Sequence, residues 1–185
     1  MNKIPVKTRI LETASRLFYV QGYRATGINQ IIKEAEIAKA SFYQHFPSKE
    51  DLCITYLEDR HNIAHERQKM FITDGNNAID RVCNLFENIR QNAINNNFNG
   101  CHFLNIASEI NEHESKIRLI VTKHKSRLMW LIEDQLQGYD NPEEMSEIIY
   151  VIYEGANIAV KNYRDTWPID RAIKTTRAML ERGTK

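Results

Sequence analysis

From Lys39 to Phe46 the chain reads Lys-Ala-Ser-Phe-Tyr-Gln-His-Phe, and residues of these types at helical spacing suit the reading of nucleic acid. Phe42 and Phe46 stand one turn apart and predict the inward side of a short helix. Lys39, Ala40, Ser41, Tyr43, Gln44 and His45 are left for its flanks and outer face. Lysine and serine donate hydrogen bonds, glutamine and histidine read base edges or phosphates, and alanine lets a duplex major groove approach closely. Lys39, Ala40, Ser41, Gln44 and His45 are therefore the candidates for the groove. Thr26, Tyr43 and Lys49 are the candidates for phosphate contacts, which fix register without reading sequence.

Other reactive types are sparser. Glu58, His61 and His65 share one face of a predicted helix and resemble half of a carboxylate–histidine metal site, for which His102, Glu109 or His113 would have to supply partners. A solvated helix face explains the same spacing, and no metal is expected. Cys101 follows Gly100 and opens a predicted helix, a position that suits a sensing thiol as well as a small buried residue. Cys53, Cys83 and Cys101 are odd in number and far apart, which predicts reduced thiols and neither a disulfide nor a zinc framework. Paired catalytic carboxylates, a nucleophile elbow and a phosphate loop are absent from the sequence, so neither an enzyme nor a cofactor is expected.

The elements that must position these residues all carry helical periodicity. Pro5 suits a first turn; Ile10, Leu11, Ala14, Leu17 and Phe18 form one face, and Gly22 closes that helix. Thr26 is placed to cap a second helix, Gly27–Ala35, with Ile28, Ile31 and Ile32 on its apolar side. After a turn at Glu36–Ala38 and the short helix to Phe46, Pro47 breaks the pattern, and Ser48–Asp51 has a capping spacing that opens a long helix. Further helices are predicted at 78–95, 101–110, 114–136, 142–164 and 169–182, and no period-two alternation appears. The expected fold is all-α, about nine helices: a helix-turn-helix domain at 1–50 (the motif at about 27–46) followed by a helical domain at 51–185.

Composition fits a packed protein, with 42% hydrophobic and 26% charged residues. No apolar run is long enough for a membrane helix and the first twenty residues lack a signal core, which predicts a cytoplasmic location and no membrane partner. Net charge is only +1, but eight lysines and arginines face three acids up to residue 49, against 17 and 21 in the remainder. A basic head on a mildly acidic body is the footprint of a DNA-facing domain joined to one with another task. Lys3, Lys7 and Arg9, near the N-terminus, are open to phosphates or simply to solvent.

Phe18–Tyr23 (Phe-Tyr-Val-Gln-Gly-Tyr), Thr26, the Ile-rich run Ile28–Ala35, and Lys39–Leu52 (Lys-Ala-Ser-Phe-Tyr-Gln-His-Phe-Pro-Ser-Lys-Glu-Asp-Leu) together resemble the N-terminal domain of the TetR family (TetR/AcrR type) of bacterial transcriptional regulators. The likeness is close over about the first third of the chain and looser, by length and helix number, beyond it. Two positions depart from the family pattern. Glu36 stands where the turn usually carries glycine, and a left-handed non-glycine residue costs roughly 1–2 kcal/mol. Ala38 replaces the usual hydroxyl cap, a loss of ~1 kcal/mol, and leaves amides that a phosphate could meet.

The resemblance implies a repressor that binds a palindromic operator in double-stranded DNA as a homodimer and is released by a small-molecule effector. It also implies a dimer interface on the last two long helices, for which Gly155, Ala156 and Ala159, with Ala172, Ile173, Met179 and Leu180, are the candidates. Packing within the chain accounts for the same residues equally well. The effector is expected in the second domain, where Phe86, Arg90, Phe103, Asn105, Trp130, Tyr150, Tyr153, Glu154 and Asn157 combine bulk with polar tips. That mixture predicts a partly apolar, cationic or hydroxylated ligand. The competing class is a helical ligand-binding protein or enzyme without sequence-specific DNA binding.

Overall fold

A computed structural model of the chain describes residues 4–111 and 113–183. Among the described residues there are nine helices and no strand: α1 Val6–Val20, α2 Ile28–Glu34, α3 Lys39–His45, α4 Lys49–Thr73, α5 Ala78–Asn95, α6 His102–Ala107, α7 Ser115–Gln135, α8 Pro142–Tyr163 and α9 Trp167–Arg182. The fold is all-α. No helix among the described residues is long and apolar enough to cross a membrane. By packing, the chain forms two compact units, one from residues up to 62 together with 102–122, the other from 63–101 together with the residues from 123 onward.

The first unit is built on aromatic packing. Phe18 of α1 meets the rings of Tyr23 and Tyr56 edge-on, at 5.4 and 5.6 Å between centroids, a favoured geometry for aromatic pairs. Ile10, Ala14, Ile31, Phe42, Phe46, Leu52 and Leu57 are buried with them. α1 ends at Gln21, and Gly22 turns the chain at φ +100°. An added Cβ there would sit 2.7 Å from the Glu109 carboxylate, which would have to move, and the backbone conformation itself favours glycine. α4 opens as its sequence predicts: Ser48 Oγ accepts the Asp51 N–H at 3.0 Å and donates to the Asp51 carboxylate at 2.6 Å. α6 also belongs to this unit and packs on α1. Its first residue, His102, stacks on Tyr19 at 3.9 Å and bonds the Tyr56 hydroxyl at 2.5 Å.

In the second unit α5, α8 and α9 pack on one another around Val82, Leu85, Phe86, Ile89, Ile149, Tyr153, Val160, Ile169 and Leu180. Leu128 and Ile132 of α7, with Leu136 just after it, close the same core. Asn77 caps α5 by accepting the Asp80 N–H at 2.9 Å. Ala156, Ala172 and Leu180 are buried in this core. Small and apolar residues pack within a chain as readily as between chains, and Ala156 and Ala172 also line the groove that runs beside the open face of α8. The apolar face that does remain open on α8 is Ile148 (45% exposed), Val151 (67%) and Ile158 (49%), with Gly155 between them and open space where its Cβ would be. Beside it runs a groove of about 290 Å³ lined by Gly155, Ala159, Trp167, Arg171 and Thr175, among others.

Candidate nucleic-acid interface

The seven residues of α3 divide as the spacing requires. Phe42 is fully buried, as is Phe46 just beyond the helix, so the side chains between them must point away. Lys39, Ala40, Gln44 and His45 are exposed, Tyr43 is 44% exposed, and Ser41 is half-buried. Within the described residues no hydrogen bond or ion pair engages Lys39, Gln44 or His45, which leaves their donors and acceptors free for an external partner.

Two features of the turn before α3 set how that face is presented. Glu36 is left-handed at φ 52°, the strained conformation that glycine would relieve. Ala38 is the N-cap of α3 and makes no side-chain capping bond. Arg9, grouped in the sequence with solvent- or phosphate-facing bases, is committed here instead. Its Nη1 donates to the carbonyls of Ala35 at 3.0 Å and Glu36 at 3.2 Å, the oxygens that the end of α2 leaves unpaired. A guanidinium from α1 thus ties down the turn in which glycine is missing. Lys7 lies over the Phe46 ring at 5.9 Å, and Lys3 falls outside the described residues.

The phosphate candidates fare unequally. Thr26 is not the cap of α2; Gly27 holds that position, without a side-chain bond. The Thr26 side chain is 0% exposed. Its hydroxyl donates back to the Gly22 carbonyl at 2.7 Å and accepts from Gln21 Nε2 at 3.0 Å, so it closes the loop between α1 and α2 and does not face outward. Lys49 is half-buried, with Nζ 4.4 Å from the Tyr23 ring centroid, and burial lowers its pKa. Beside α2, Arg16 bonds Glu34 at 2.5 Å and Gln30 bonds it at 2.9 Å. Arg16 first, then Gln30, holds the Glu34 carboxyl below the usual range. The loop between α1 and α2 is anchored further by Arg24: its N–H donates to the Glu109 carboxylate at 2.7 Å, its Nε to the Glu109 carbonyl, and its guanidinium stands 3.7 Å from Glu114.

In the second unit the effector candidates separate into two groups. Phe86, Tyr150, Tyr153, Glu154 and Asn157 belong to one unit, and the Phe86 and Tyr153 rings lie 5.5 Å apart. Tyr153 is hydrogen-bonded to buried Gln68, and burial pushes its phenol up to about 12. Asn157 turns its amide to the Tyr153 carbonyl at 3.3 Å. Trp130 and Arg90 belong to the same unit. Trp130 is 59% exposed. Arg90 is clamped by Glu87 at 2.7 Å and Asp170 at 2.6 Å. Phe103 and Asn105, on α6, belong to the first unit.

Sequence reading missed the partner of Glu154. Lys125 of α7 reaches its carboxylate at 2.8 Å, with side chains only 11% and 15% exposed. A carboxylate already neutralised in this way does not call for a cationic ligand, which removes that part of the expectation. The Glu58, His61 and His65 face assembles no metal-binding cluster among the described residues; His65 Nε2 lies 3.2 Å from the Arg127 guanidinium.

Residues 10–54 match the family model described as bacterial regulatory proteins, tetR family. The HTH-type transcriptional repressor NemR of Escherichia coli K12 is 24% identical over 178 residues, covering 90% of this chain and 89% of the relative. The uncharacterized HTH-type transcriptional regulator YxaF of Bacillus subtilis is 57% identical over 49 residues, 26% of each chain. Among solved structures, the TetR-family regulator SCO4454 of Streptomyces coelicolor is similar at a TM-score of 0.87 and 22% identity, covering 97% of this chain and 90% of the other. The reduced form of E. coli NemR is similar at 0.77 and 22% identity, covering 93% and 95%.

Proposed function

We propose that this chain, whose residues 10–54 match the tetR-family model and which resembles the repressor NemR over 90% of its length, is a DNA-binding transcriptional regulator of the TetR family, a homodimeric repressor that a small molecule releases from its operator. The observation that carries the proposal is the outward face of α3: free donors and acceptors on a short helix whose Phe42 is sealed in the protein. Lys39, Ala40, Ser41, Gln44 and His45 enter the major groove; Tyr43 and Lys49 contact phosphates. Residues 1–50 carry this task, and 51–185 carry effector binding and dimerisation, all in the cytoplasm where the operator is.

A dimer follows from the physics of specificity, because one short helix reads too few bases. Two heads about one helical turn apart, roughly 34–36 Å, read a palindrome. The exposed stripe Ile148, Val151, Gly155 and Ile158 on α8, with Trp167 and Ala159 along the neighbouring groove, supports an isologous interface. Release then follows from linkage: an effector that prefers a conformation with misplaced heads weakens DNA binding by the factor with which DNA weakens effector binding. The effector is assigned to the unit containing Phe86, Tyr150, Tyr153 and Glu154, and its chemistry is partly apolar and hydroxylated.

The test is a shift assay on the DNA upstream of the protein's own gene. Lys39→Gln combined with Tyr43→Phe lowers affinity for that duplex by about 100-fold, since a base-reading contact is worth ~1–3 kcal/mol. A double variant that binds as tightly as the parent overturns the assigned face.

A further inference from the structure

We infer that Glu109, seconded by Glu114, is a positioning residue for DNA recognition: from the turn between α6 and α7 it fixes the entrance of α2, and through α2 the pose of the α3 face. The family-model match ends at residue 54, yet the first unit also takes in residues 102–122, so this turn folds with a head that lies far from it in sequence. Glu109 follows α6, with its N–H bonded to the Ile106 carbonyl at 3.0 Å. Its carboxylate accepts the Arg24 N–H at 2.7 Å across 85 residues of sequence, and its carbonyl accepts Arg24 Nε. Glu114 accepts the Asn111 N–H at 2.9 Å, bonds the Tyr23 hydroxyl and stands 3.7 Å from the Arg24 guanidinium, with its own side chain 19% exposed. Burial, foremost, pushes the Tyr23 phenol above its ordinary range, so it stays protonated and donates to Glu114. Two carboxylates thereby grip the consecutive residues Tyr23 and Arg24, and Gly22 leaves the room in which Glu109 sits.

What they grip leads straight into the helix-turn-helix. The Gly22 carbonyl accepts the Thr26 hydroxyl at 2.7 Å, Thr26 accepts from Gln21, and Gln21 Nε2 reaches Gln30 of α2 at 2.8 Å. α2 in turn packs on α3. Beyond α3, Lys49 at the start of α4 lies over the same Tyr23 ring, with the Glu114 and Glu109 charges acting on it. Both ends of the motif therefore meet at Tyr23. Attraction to phosphates depends on charge and survives a shifted helix, whereas base edges are read only by side chains held in register. A loosened α2 thus costs sequence reading and spares nonspecific attraction. The bearing on operator reading rests on the repressor reading above; the hold on α2 does not.

Glu109→Ala and Glu109→Gln in the full chain test both parts, since glutamine keeps an acceptor for the Arg24 N–H and alanine does not. In the free protein, amide hydrogen exchange over residues 24–35 is expected to speed by about tenfold in Glu109→Ala. It stays at the parent's rate in Glu109→Gln, and α5 is unchanged in both. Exchange over 24–35 that is alike in all three proteins overturns the hold on α2. On the upstream duplex, Glu109→Ala loses about tenfold in affinity, the worth of one base contact, while random duplex binds within about twofold of the parent. Glu109→Gln binds both duplexes as the parent does. Operator and random affinities that fall together, or a Glu109→Gln protein as weak as Glu109→Ala, overturn the positioning role. If Glu109→Ala does not fold, Glu109→Asp, still charged but one methylene too short to keep the bond, takes its place. A parent with no specific complex defeats the repressor reading instead, and the exchange rates still decide the hold on α2.

Discussion

Lys39, Gln44 and His45 of the first unit face solvent from one short helix without partners among the described residues, whereas Lys125, Glu154, Tyr153 and Gln68 of the second unit are drawn below its surface, where Lys125 pairs with Glu154 and Tyr153 with Gln68. Polar groups in water cost the fold almost nothing and are free to meet a ligand of their own kind, which under the proposed function is base edges and phosphates. Polar groups below the surface are tolerated only when paired, and each pair makes the fold depend on both members. The two units therefore hold the same residue types to opposite effect. On α3 they have little bearing on stability and are proposed to serve recognition; around Lys125 they bear on stability first.

That contrast can be pressed experimentally. Lys125→Met leaves the Glu154 carboxylate buried and alone, and urea unfolding is expected to report a loss of about 3–5 kcal/mol. Removing both charges with Lys125→Met and Glu154→Leu returns most of it. Glu36→Gly relaxes the left-handed turn and raises stability by about 1–2 kcal/mol with the α3 face unchanged. Ala38→Ser supplies the missing cap of α3 for a gain of ~1 kcal/mol, measured as a higher unfolding midpoint. Lys39→Gln, on the open face, moves stability by less than about 0.5 kcal/mol. Should Lys39→Gln destabilise the fold as much as Lys125→Met does, the distinction between the two units disappears.

The same contrast explains which parts could be read in advance. A one-turn spacing of Phe42 and Phe46 fixes which way every other residue of α3 points, so this face was legible from eight letters. The Ser48–Asp51 cap was legible too, because its partners are three residues apart. Thr26 was misjudged, since a threonine before a helix caps it only if its hydroxyl points forward, and here it turns back to Gly22. The Lys125–Glu154 pair spans 29 residues and two helices, and no local pattern encodes such a meeting. Arg9, bound to a turn 26 residues away, was hidden for the same reason. On α8 and α9 the sequence marks apolar and small residues but not what they pack on. Ala156 and Leu180 turn inward while Val151 and Ile158 stay outside.

Titrating the protein with its own upstream duplex and with random duplex, at several salt concentrations, probes most directly whether the face of α3 reads sequence. A specific complex is expected at least about 10³-fold tighter than the random one at physiological salt, with both weakening as salt rises. Equal affinity for the two duplexes at every salt concentration, or none for either, would contradict it.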